Sequence, residues 1–383
     1  MLAKLLSSRR SVLAGLTLLG AALLHHPAQA YDTDATAAIL VDPQTDQVLY
    51  AKNPDVRLPP ASMSKLMTVY LVFKRLKEGS LKLDDTFPVS EKAWRKGGSK
   101  MFVRVGDRVS IENLLQGIIV QSGNDACIVV AEGISGTVDA FAELMTRTAH
   151  EIGMSNSTFK NASGWPDPEH LTTVRDLATL AEILVTQFPE YYHFFSEKEF
   201  VYSGIKQHAR NPLLYQDIGA DGLKTGHTEA AGYGLVGSAV RDGRRLILVI
   251  TGLKKSGARA HEAERLLDYG FREFKNYQLF AAGDAVEMAN VWLGSTDKVP
   301  LVVQDDVVVS LTPDARRDLS VKVIYDDPIP APVSSGAPVA QLEVSAPGLE
   351  ARRMPLVAGA AVDSANLLGR MTGALNYLIF GPS

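Results

Sequence analysis

Cysteine is nearly absent from this sequence: the 383-residue chain contains one, Cys127. A single cysteine cannot form a disulfide within the chain, so packing of apolar side chains has to stabilise the fold. Cys127 stands in the apolar run ACIVVAEGI. A cysteine in such a run is expected to be a small buried hydrophobe rather than a reactive thiol.

Metal-binding patterns are absent as well. The 8 histidines are scattered, without an HExxH motif or a close histidine or cysteine pair suited to zinc. The sequence therefore argues against a metal-dependent hydrolase, and we expect no metal or organic cofactor. An excess of one charge is also missing, since the net charge is only -4, and we expect no nucleic-acid partner.

The apolar run at residues 12–24 is too short to span a bilayer. Arg9 and Arg10 precede it and the small-residue pattern AQA at 28–30 follows it. These three parts predict a cleaved export signal over residues 1–30 and hence a periplasmic protein, with an uncleaved membrane-anchoring helix as the alternative. The choice between general secretory and twin-arginine export stays open.

Hydrophobic periodicity divides the rest of the chain into three parts. Residues 31–280 begin with a strand pair, continue with helical segments and return to strands after residue 215, which predicts an α+β domain with an antiparallel sheet backed by helices. Residues 281–360 read as short strands and turns, with no helix before residue 363, and predict a small all-β domain. Residues 361–383 predict an amphipathic C-terminal helix.

The C-terminal segment suits a helix that lies in a membrane interface, and we expect it to attach the protein to the inner membrane surface. A terminal helix packed on the β domain is the alternative. Its predicted apolar face consists of Leu367, Leu368, Met371, Leu375, Leu378 and Ile379.

The pattern S-x-x-K is the first chemical signal. A serine three residues before a lysine on a helix shares one face with it, so the amine can take the hydroxyl proton. The pattern alone is weak, because it occurs at Ser62-Lys65, Ser157-Lys160, Ser203-Lys206 and Ser295-Lys298.

Only Ser62 opens a long apolar helix, directly after two prolines. The unpaired N–H groups at a helix start favour a developing oxyanion, and burial along the helix lowers the pKa of Lys65 so that it can act as a base. Ser62 is therefore the candidate nucleophile, and Ser64 is expected to line or support the site. A helix-capping Ser62 with a solvated Lys65 is the alternative.

Two further motifs follow along the chain. The segment VQSGNDA supplies Ser122 and Asn124, and DGLKTGHT supplies Lys224, Thr225 and Gly226 in a predicted strand. A second K-S-G at 255–257 follows a later strand and is disfavoured. The set resembles the S-x-x-K, S-x-N and K-T-G motifs of penicillin-binding proteins and serine β-lactamases.

From about residue 31 to its end, the chain is similar to the low-molecular-mass penicillin-binding proteins that are serine D-Ala-D-Ala carboxypeptidases. This resemblance implies a β-lactamase/transpeptidase-like catalytic domain over residues 31–280. It also implies peptidoglycan pentapeptide stems as substrates and β-lactams as covalent inhibitors.

The resemblance assigns roles to the motif residues. Ser62 would be acylated by the penultimate D-Ala carbonyl and Lys65 would accept its proton. The residues that relay protons or hold the substrate would be Ser122, Asn124, Lys224 and Gly226, with the N–H groups of Ser62 and His227 at the oxyanion. Thr225 and Arg259 would bind the terminal carboxylate, a surface arginine being the alternative for Arg259.

Rival functions remain. Glu169 faintly resembles the deacylating glutamate of class A β-lactamases, although its segment fits the carboxypeptidase pattern at least as well. A β-lactamase, an endopeptidase of the same superfamily and a non-catalytic wall-binding scaffold are therefore the alternatives.

Overall fold

The structure is a computed structural model that describes residues 31–366 and residue 371. The predicted export signal and most of the predicted C-terminal helix lie outside the described residues. Within the described part, no helix is long and apolar enough to cross a membrane.

The first part of the chain mixes strands and helices. Its strands are β1 Ala37–Asp42, β2 Gln47–Lys52, β3 Thr86–Pro88, β4 Arg108–Ser110, β5 Glu199–Tyr202, β6 Ile205–His208, β7 Ala220–Thr228, β8 Gly232–Arg241 and β9 Arg244–Leu253. Its helices are α1 Lys65–Lys77, α2 Glu91–Arg95, α3 Ile111–Ile119, α4 Asn124–Ser135, α5 Val138–Glu151, α6 Val174–Gln187 and α7 Ser256–Glu273. Short 3-10 turns occupy Ala61–Ser64, Tyr192–Ser196 and Pro212–Tyr215.

The central sheet has five strands in the order β2-β1-β9-β8-β7, and every neighbouring pair is antiparallel. The Asp-Gly turn between β8 and β9 places Asp242 and Gly243 at φ 50° and 78°, as a tight hairpin turn of this sequence requires. The predicted antiparallel sheet with helices packed against it is confirmed.

Helix α1 runs through the middle of this domain. Its sequence is apolar on nearly every face, and ten of its 13 residues are buried, among them Lys65, Leu66 and Phe73. It contacts α3, α4, α5 and α6. Three basic residues in its last turn complement the negative end of the helix dipole.

The second part of the chain is rich in strands. They are β10 Lys275–Phe280, β11 Ala285–Trp292, β12 Lys298–Val302, β13 Val307–Leu311, β14 Ser320–Ile324, β15 Ile329–Pro330, β16 Pro338–Ala346 and β17 Leu349–Ala358. Six of them form a sheet in the order β14-β16-β17-β12-β11-β15, and β10 pairs with β13. Strand β10, which precedes residue 281, thus pairs within this β-rich part.

The expectation of strands alone in this part is wrong at one place. A short helix, α8, covers Pro313–Arg317, and the Thr312 side chain accepts a hydrogen bond from the Ala315 N–H. A capping threonine followed by proline at the first helical position is a local helix-start signal, and it explains this turn of helix.

Arg244 connects the two parts of the chain. Its Nε donates to Asp42 Oδ2 at 2.8 Å, its Nη1 to the Phe274 carbonyl at 2.6 Å and its Nη2 to Ser310 Oγ at 2.7 Å. The Arg244 side chain is 13% exposed and that of Asp42 is 0% exposed. A half-buried cation at this junction is therefore neutralised by a buried carboxylate.

Candidate active site

Ser62 lies in the 3-10 turn Ala61–Ser64 that leads directly into α1. Ala61 has a φ of 48°, in the left-handed region that costs a residue with a side chain free energy. Gly164 permits the close approach of its own segment to this turn, since an added Cβ would lie 1.7 Å from the Ala61 carbonyl oxygen. Ser62 itself is half-buried, so its hydroxyl is open to a substrate while its neighbours are enclosed.

Lys65 follows one helical turn later and is 0% exposed. Its Nζ lies 2.7 Å from Ser62 Oγ, 2.8 Å from Asn124 Oδ1 and 2.7 Å from the Ser163 carbonyl oxygen. Asn124 Nδ2 donates to the Gly97 carbonyl at 3.0 Å, which fixes Oδ1 as the atom that faces the lysine.

These contacts direct the lysine toward the serine. The amide and carbonyl oxygens can only accept, so they take two N–H groups of Lys65. The remaining position on Nζ faces Ser62, and in the neutral amine that position is the lone pair. Burial lowers the pKa of Lys65 from 10.5 to about 8, partly offset by the Cys127 thiol. The geometry thus gives Lys65 the form and direction of a base for the Ser62 hydroxyl.

Ser122 and Lys224 form a second pair. Lys224 is 2% exposed, and its Nζ donates to Ser122 Oγ at 3.0 Å and to the Thr225 carbonyl at 3.1 Å. Ser122 has a φ of 63°, on the short connection between α3 and α4. Burial, together with the charge of Lys65, holds the pKa of Lys224 well below its usual range.

Strand β7 brings the K-T-G segment against the Ser62 turn. At Gly226 an added Cβ would lie 2.9 Å from the Pro60 carbonyl oxygen and 3.1 Å from Met63 Cγ, so only glycine permits this approach. Thr225 is buried at 6% exposure. The next residue, His227, stacks on Tyr233 with ring centroids 3.8 Å apart.

Arg259 lies in the first turn of α7. Its guanidinium is 5.9 Å from the Tyr233 ring centroid and is close enough to lower the pKa of Lys224. Its buried Nε has no hydrogen-bond partner among the described residues. A half-buried cation with an unused donor near the site suits an anionic ligand.

The structure adds residues that the sequence analysis did not identify. Arg210 donates to Ser99 Oγ at 2.7 Å, and its charge lowers the pKa of Lys65, of Lys224 and of Arg259. Its segment, QHARNPLL, contains no motif that would have placed Arg210 near the site lysines. Lys96 stands 3.6 Å from the Trp165 ring centroid and also lowers the pKa of Lys65.

Ser64 takes the supporting position that was expected of it. It is buried, donates to the Ala61 carbonyl at 2.8 Å and lies 2.8 Å from His170 Nε2. The Lys160 N–H donates to His170 Nδ1 at 3.2 Å, so Nε2 carries the ring proton and donates to Ser64. Burial lowers the pKa of His170 to about 4, and the neutral ring stabilises the turn that presents Ser62.

The remaining candidates lie elsewhere or are inert. Cys127 is buried, as expected, and burial raises its pKa to about 11. The Glu169 side chain is 74% exposed and pairs with Lys160 at 3.0 Å. Lys255 is exposed at the start of α7. The described residues contain no cluster of three histidine, cysteine or acidic side chains that could hold a metal ion.

Comparisons with known proteins identify the family of this chain. Residues 24–255 match the family model of D-alanyl-D-alanine carboxypeptidase, peptidase S11, and residues 274–364 match that of the penicillin-binding protein 5 C-terminal domain. The chain is 35% identical to D-alanyl-D-alanine carboxypeptidase DacC of Escherichia coli K12, over 90% of this chain and 88% of that protein.

Solved structures of penicillin-binding proteins have a similar fold. Penicillin-binding protein 5 from Haemophilus influenzae superposes with a TM-score of 0.79 at 33% identity, over 86% of this chain and 98% of that one. The ampicillin-bound penicillin-binding protein D2 from Listeria monocytogenes gives a TM-score of 0.57 at 30% identity, over 62% of this chain and 97% of that one. The protein described here therefore belongs to the peptidase S11 family of D-alanyl-D-alanine carboxypeptidases.

Proposed function

We propose that this serine hydrolase removes the terminal D-Ala from peptidoglycan pentapeptide stems through an acyl-enzyme on Ser62. The observation that carries the proposal is the buried Lys65 amine, whose two other hydrogen-bond positions are taken by acceptors and whose third faces Ser62 Oγ at 2.7 Å. A base that is already directed at a hydroxyl activates it without further rearrangement.

In acylation, Ser62 Oγ attacks the carbonyl carbon of the penultimate D-Ala while Lys65 Nζ takes the hydroxyl proton. The oxyanion that forms is stabilised by the backbone N–H groups of Ser62 and His227, at the place where Gly226 lets β7 approach the turn. Collapse of this intermediate breaks the peptide bond. The departing D-Ala nitrogen receives a proton through Ser122, which hydrogen-bonds to Lys224.

The terminal carboxylate is bound by Thr225 and Arg259 in this proposal. Arg210 and Arg259, two arginines whose charges act on Lys224, support it, because an anion is favoured beside them over a neutral chain end. Water then attacks the acyl-enzyme carbonyl and passes a proton through Ser122 to Lys224, which replaces the proton given to the leaving nitrogen. The ester bond to Ser62 breaks, and Lys65 returns to Ser62 Oγ the proton that it took during acylation.

β-Lactams would acylate the same serine. The Listeria monocytogenes relative was solved with ampicillin bound, and we extend covalent inhibition by β-lactams to this chain on that similarity. Faster hydrolysis of a β-lactam than of a D-Ala-D-Ala peptide would instead favour a β-lactamase, and a preference for cross-linked dimers would favour an endopeptidase. Wall binding without D-Ala release would favour a scaffold.

The decisive experiment combines D-Ala release from a pentapeptide with intact mass measurement after incubation with penicillin. We expect a lasting adduct on Ser62 by peptide mapping, and loss of both adduct and D-Ala release in Ser62→Ala. The matched control is Ser203→Ala, which removes the exposed serine of another S-x-x-K pattern and should keep the adduct. Labelling that survives in Ser62→Ala would contradict the assignment of the nucleophile.

The proposal extends to the cellular location. The protein acts in the periplasm after removal of residues 1–30, and residues 361–383 attach it to the inner membrane surface. The amphipathic pattern of that segment supports this part of the proposal. A chain that ends at Ala361 should move from the membrane fraction to the soluble fraction, whereas continued sedimentation with membranes would assign the anchor elsewhere.

A further inference from the structure

Two loops that adjoin the hydrogen-bond acceptors of Lys65 also contact each other. The 96–99 loop directly follows α2, and the 161–165 loop lies in the connection between α5 and α6. The Lys96 ammonium is 3.6 Å from the Trp165 ring centroid, and an added Cβ at Gly98 would lie 3.2 Å from Trp165 Cζ3. None of the steps proposed above uses this contact.

The 96–99 loop is bound to Asn124, which gives Lys65 its amide acceptor. Asn124 Nδ2 donates to the Gly97 carbonyl at 3.0 Å, and the Asn124 N–H donates to the Ser99 carbonyl at 2.7 Å. The same side-chain amide accepts from Lys65 Nζ through Oδ1 at 2.8 Å. Because Nδ2 and Oδ1 belong to one amide group, the position of the Gly97 carbonyl sets the direction in which Oδ1 points.

The 161–165 loop holds the second acceptor, the Ser163 carbonyl, which lies 2.7 Å from Lys65 Nζ. Asn161 Oδ1 accepts from the Ser163 N–H at 3.1 Å and from the Trp165 N–H at 2.9 Å. Asn161 Nδ2 donates to the Trp165 carbonyl at 3.0 Å. An asparagine that binds the backbone ahead of it makes a tight local turn, so a displacement of Trp165 would carry the Ser163 carbonyl with it.

The Lys96–Trp165 contact closes a ring of contacts that runs from Lys65 through both acceptors and back. Tryptophan offers the best aromatic face for a cation, and the attraction is stronger when the cation is partly desolvated. Lys96 is half-buried, and burial lowers its pKa. The contact therefore restrains the separation of the two loops and, through them, the separation of the two acceptors of Lys65.

We propose that Lys96 and Trp165 form a positioning pair for the base of this enzyme. By joining the two loops, the pair holds the Asn124 amide and the Ser163 carbonyl in the arrangement that directs the Lys65 lone pair at Ser62. Both residues act through the acceptors and not on the reacting atoms. This inference rests on the proposed function, in which Lys65 takes the Ser62 proton.

The charge of Lys96 has to be separated from its contact with Trp165. Lys96 also lowers the pKa of Lys65 by its charge. The titratable and charged groups that interact with Lys65 electrostatically are Cys127, Asp125, Arg210, Lys96, Lys224 and His170. Trp165→Leu leaves all of these groups in place, whereas Lys96→Met removes one charge. Rates compared above the pKa of Lys65, at about pH 9.5, report on the position of a neutral amine in either variant.

The test follows acylation by penicillin with quenched-flow mass spectrometry, which gives the dissociation constant of the non-covalent complex and the rate constant of acylation separately. We expect Trp165→Leu and Lys96→Met each to lower the rate constant about fivefold, the equivalent of one partly desolvated cation–π contact. The dissociation constant should stay within about twofold, because the pair acts on the chemical step.

A double-mutant cycle checks that the two side chains act through one contact. The variant with both Lys96→Met and Trp165→Leu should lose the same factor of about five as each single variant, since either change already breaks the contact. Lys96→Arg and Trp165→Phe should keep the rate constant within about twofold, because each retains a cation over an aromatic face.

Two controls match the substitutions. Lys77→Met removes a lysine that lies 5.5 Å from the Phe188 ring centroid, at the far end of α1 from Ser62. Trp94→Leu removes a tryptophan that is 45% exposed, against 42% for Trp165. Both controls should keep the rate constant of acylation within about twofold of the wild type.

The outcomes separate this inference from the proposed function. A loss of about 25-fold in the double variant, the product of two independent effects, would overturn the inference. Unchanged rate constants in both single variants, or an equal loss in the controls, would overturn it as well. In each case the carboxypeptidase proposal stands, because the wild type still forms its adduct on Ser62. A wild type that forms no adduct on Ser62 would overturn the proposed function and the inference with it.

Discussion

Two regions of this molecule bury cationic side chains, and they treat the charge in opposite ways. At the junction between the two parts of the chain, Arg244 pairs with Asp42, whose side chain is 0% exposed. Beside Ser62, the buried Lys65 and Lys224 nitrogens find their hydrogen-bond partners, within the described part of the chain, among neutral oxygens of serine, asparagine and the backbone.

The difference in hydrogen-bond partners explains why one region stabilises the fold and the other takes part in proton transfer. A charge compensated by a buried carboxylate stays charged and holds structure. An amine that is buried among neutral acceptors has a lowered pKa, gives up its proton more readily and can exchange protons with a substrate. Replacing the lysine beside Ser62 by arginine should therefore lower activity, and replacing the arginine at the junction by lysine should lower stability.

Lys65→Arg should give the largest effect. A guanidinium does not lose its proton in a protein, so this variant has no base directed at Ser62, and we expect kcat/KM for D-Ala release to fall about 10³-fold. Steady-state kinetics with a pentapeptide measures the loss, and circular dichroism checks that the variant is folded. Activity within tenfold of the wild type would show that Lys65 is not the base.

Arg244→Lys is the reciprocal exchange and should act on stability. Lysine cannot reach Asp42, the Phe274 carbonyl and Ser310 together, so buried acceptors lose their donors. We expect the free energy of unfolding to fall by about 2 kcal/mol, measured by urea denaturation. Folded Arg244→Lys should retain kcat/KM within about twofold, and a loss comparable to that of Lys65→Arg would remove the distinction between the two regions.

The smallest expected effect is the change of kcat/KM for D-Ala release with pH. Burial lowers the pKa of Lys65 to about 8, and only the neutral amine acts as base, so activity is highest above this pKa and declines as pH falls through it. Below pH 8, kcat/KM should drop about tenfold per pH unit, as a pH profile of D-Ala release will show. A flat profile between pH 6 and 8 would contradict a lysine base.

The sequence predicted the parts of this molecule that depend on local patterns. The apolar helix after Pro60, the Asp-Gly hairpin and the strand that contains Lys224 follow from hydrophobic periodicity and turn residues. The three motifs indicated which side chains would meet, and the structure brings Ser62, Lys65 and Asn124 within hydrogen-bond distance.

The missed features depend on contacts between distant segments. The Ser163 carbonyl accepts a hydrogen bond from Lys65, 98 residues away in sequence. Every residue has a backbone carbonyl, so the residue type at 163 does not indicate this contact. Arg210 and Lys96 reach the site from loops whose path is set by tertiary packing. The helix α8, in contrast, had a local signal in Thr312-Pro313, which the strand-rich surroundings masked.

Gly164 limits the substitutions that evolution can accept beside the Ser62 turn. A side chain at this position would collide with the Ala61 carbonyl and displace the turn that carries Ser62. Trp165, the next residue, is 42% exposed, and its ring lies against the Lys96 ammonium. A lineage of these enzymes could therefore exchange an exposed residue such as Trp165 while the serine stays where it is, whereas position 164 has to remain glycine.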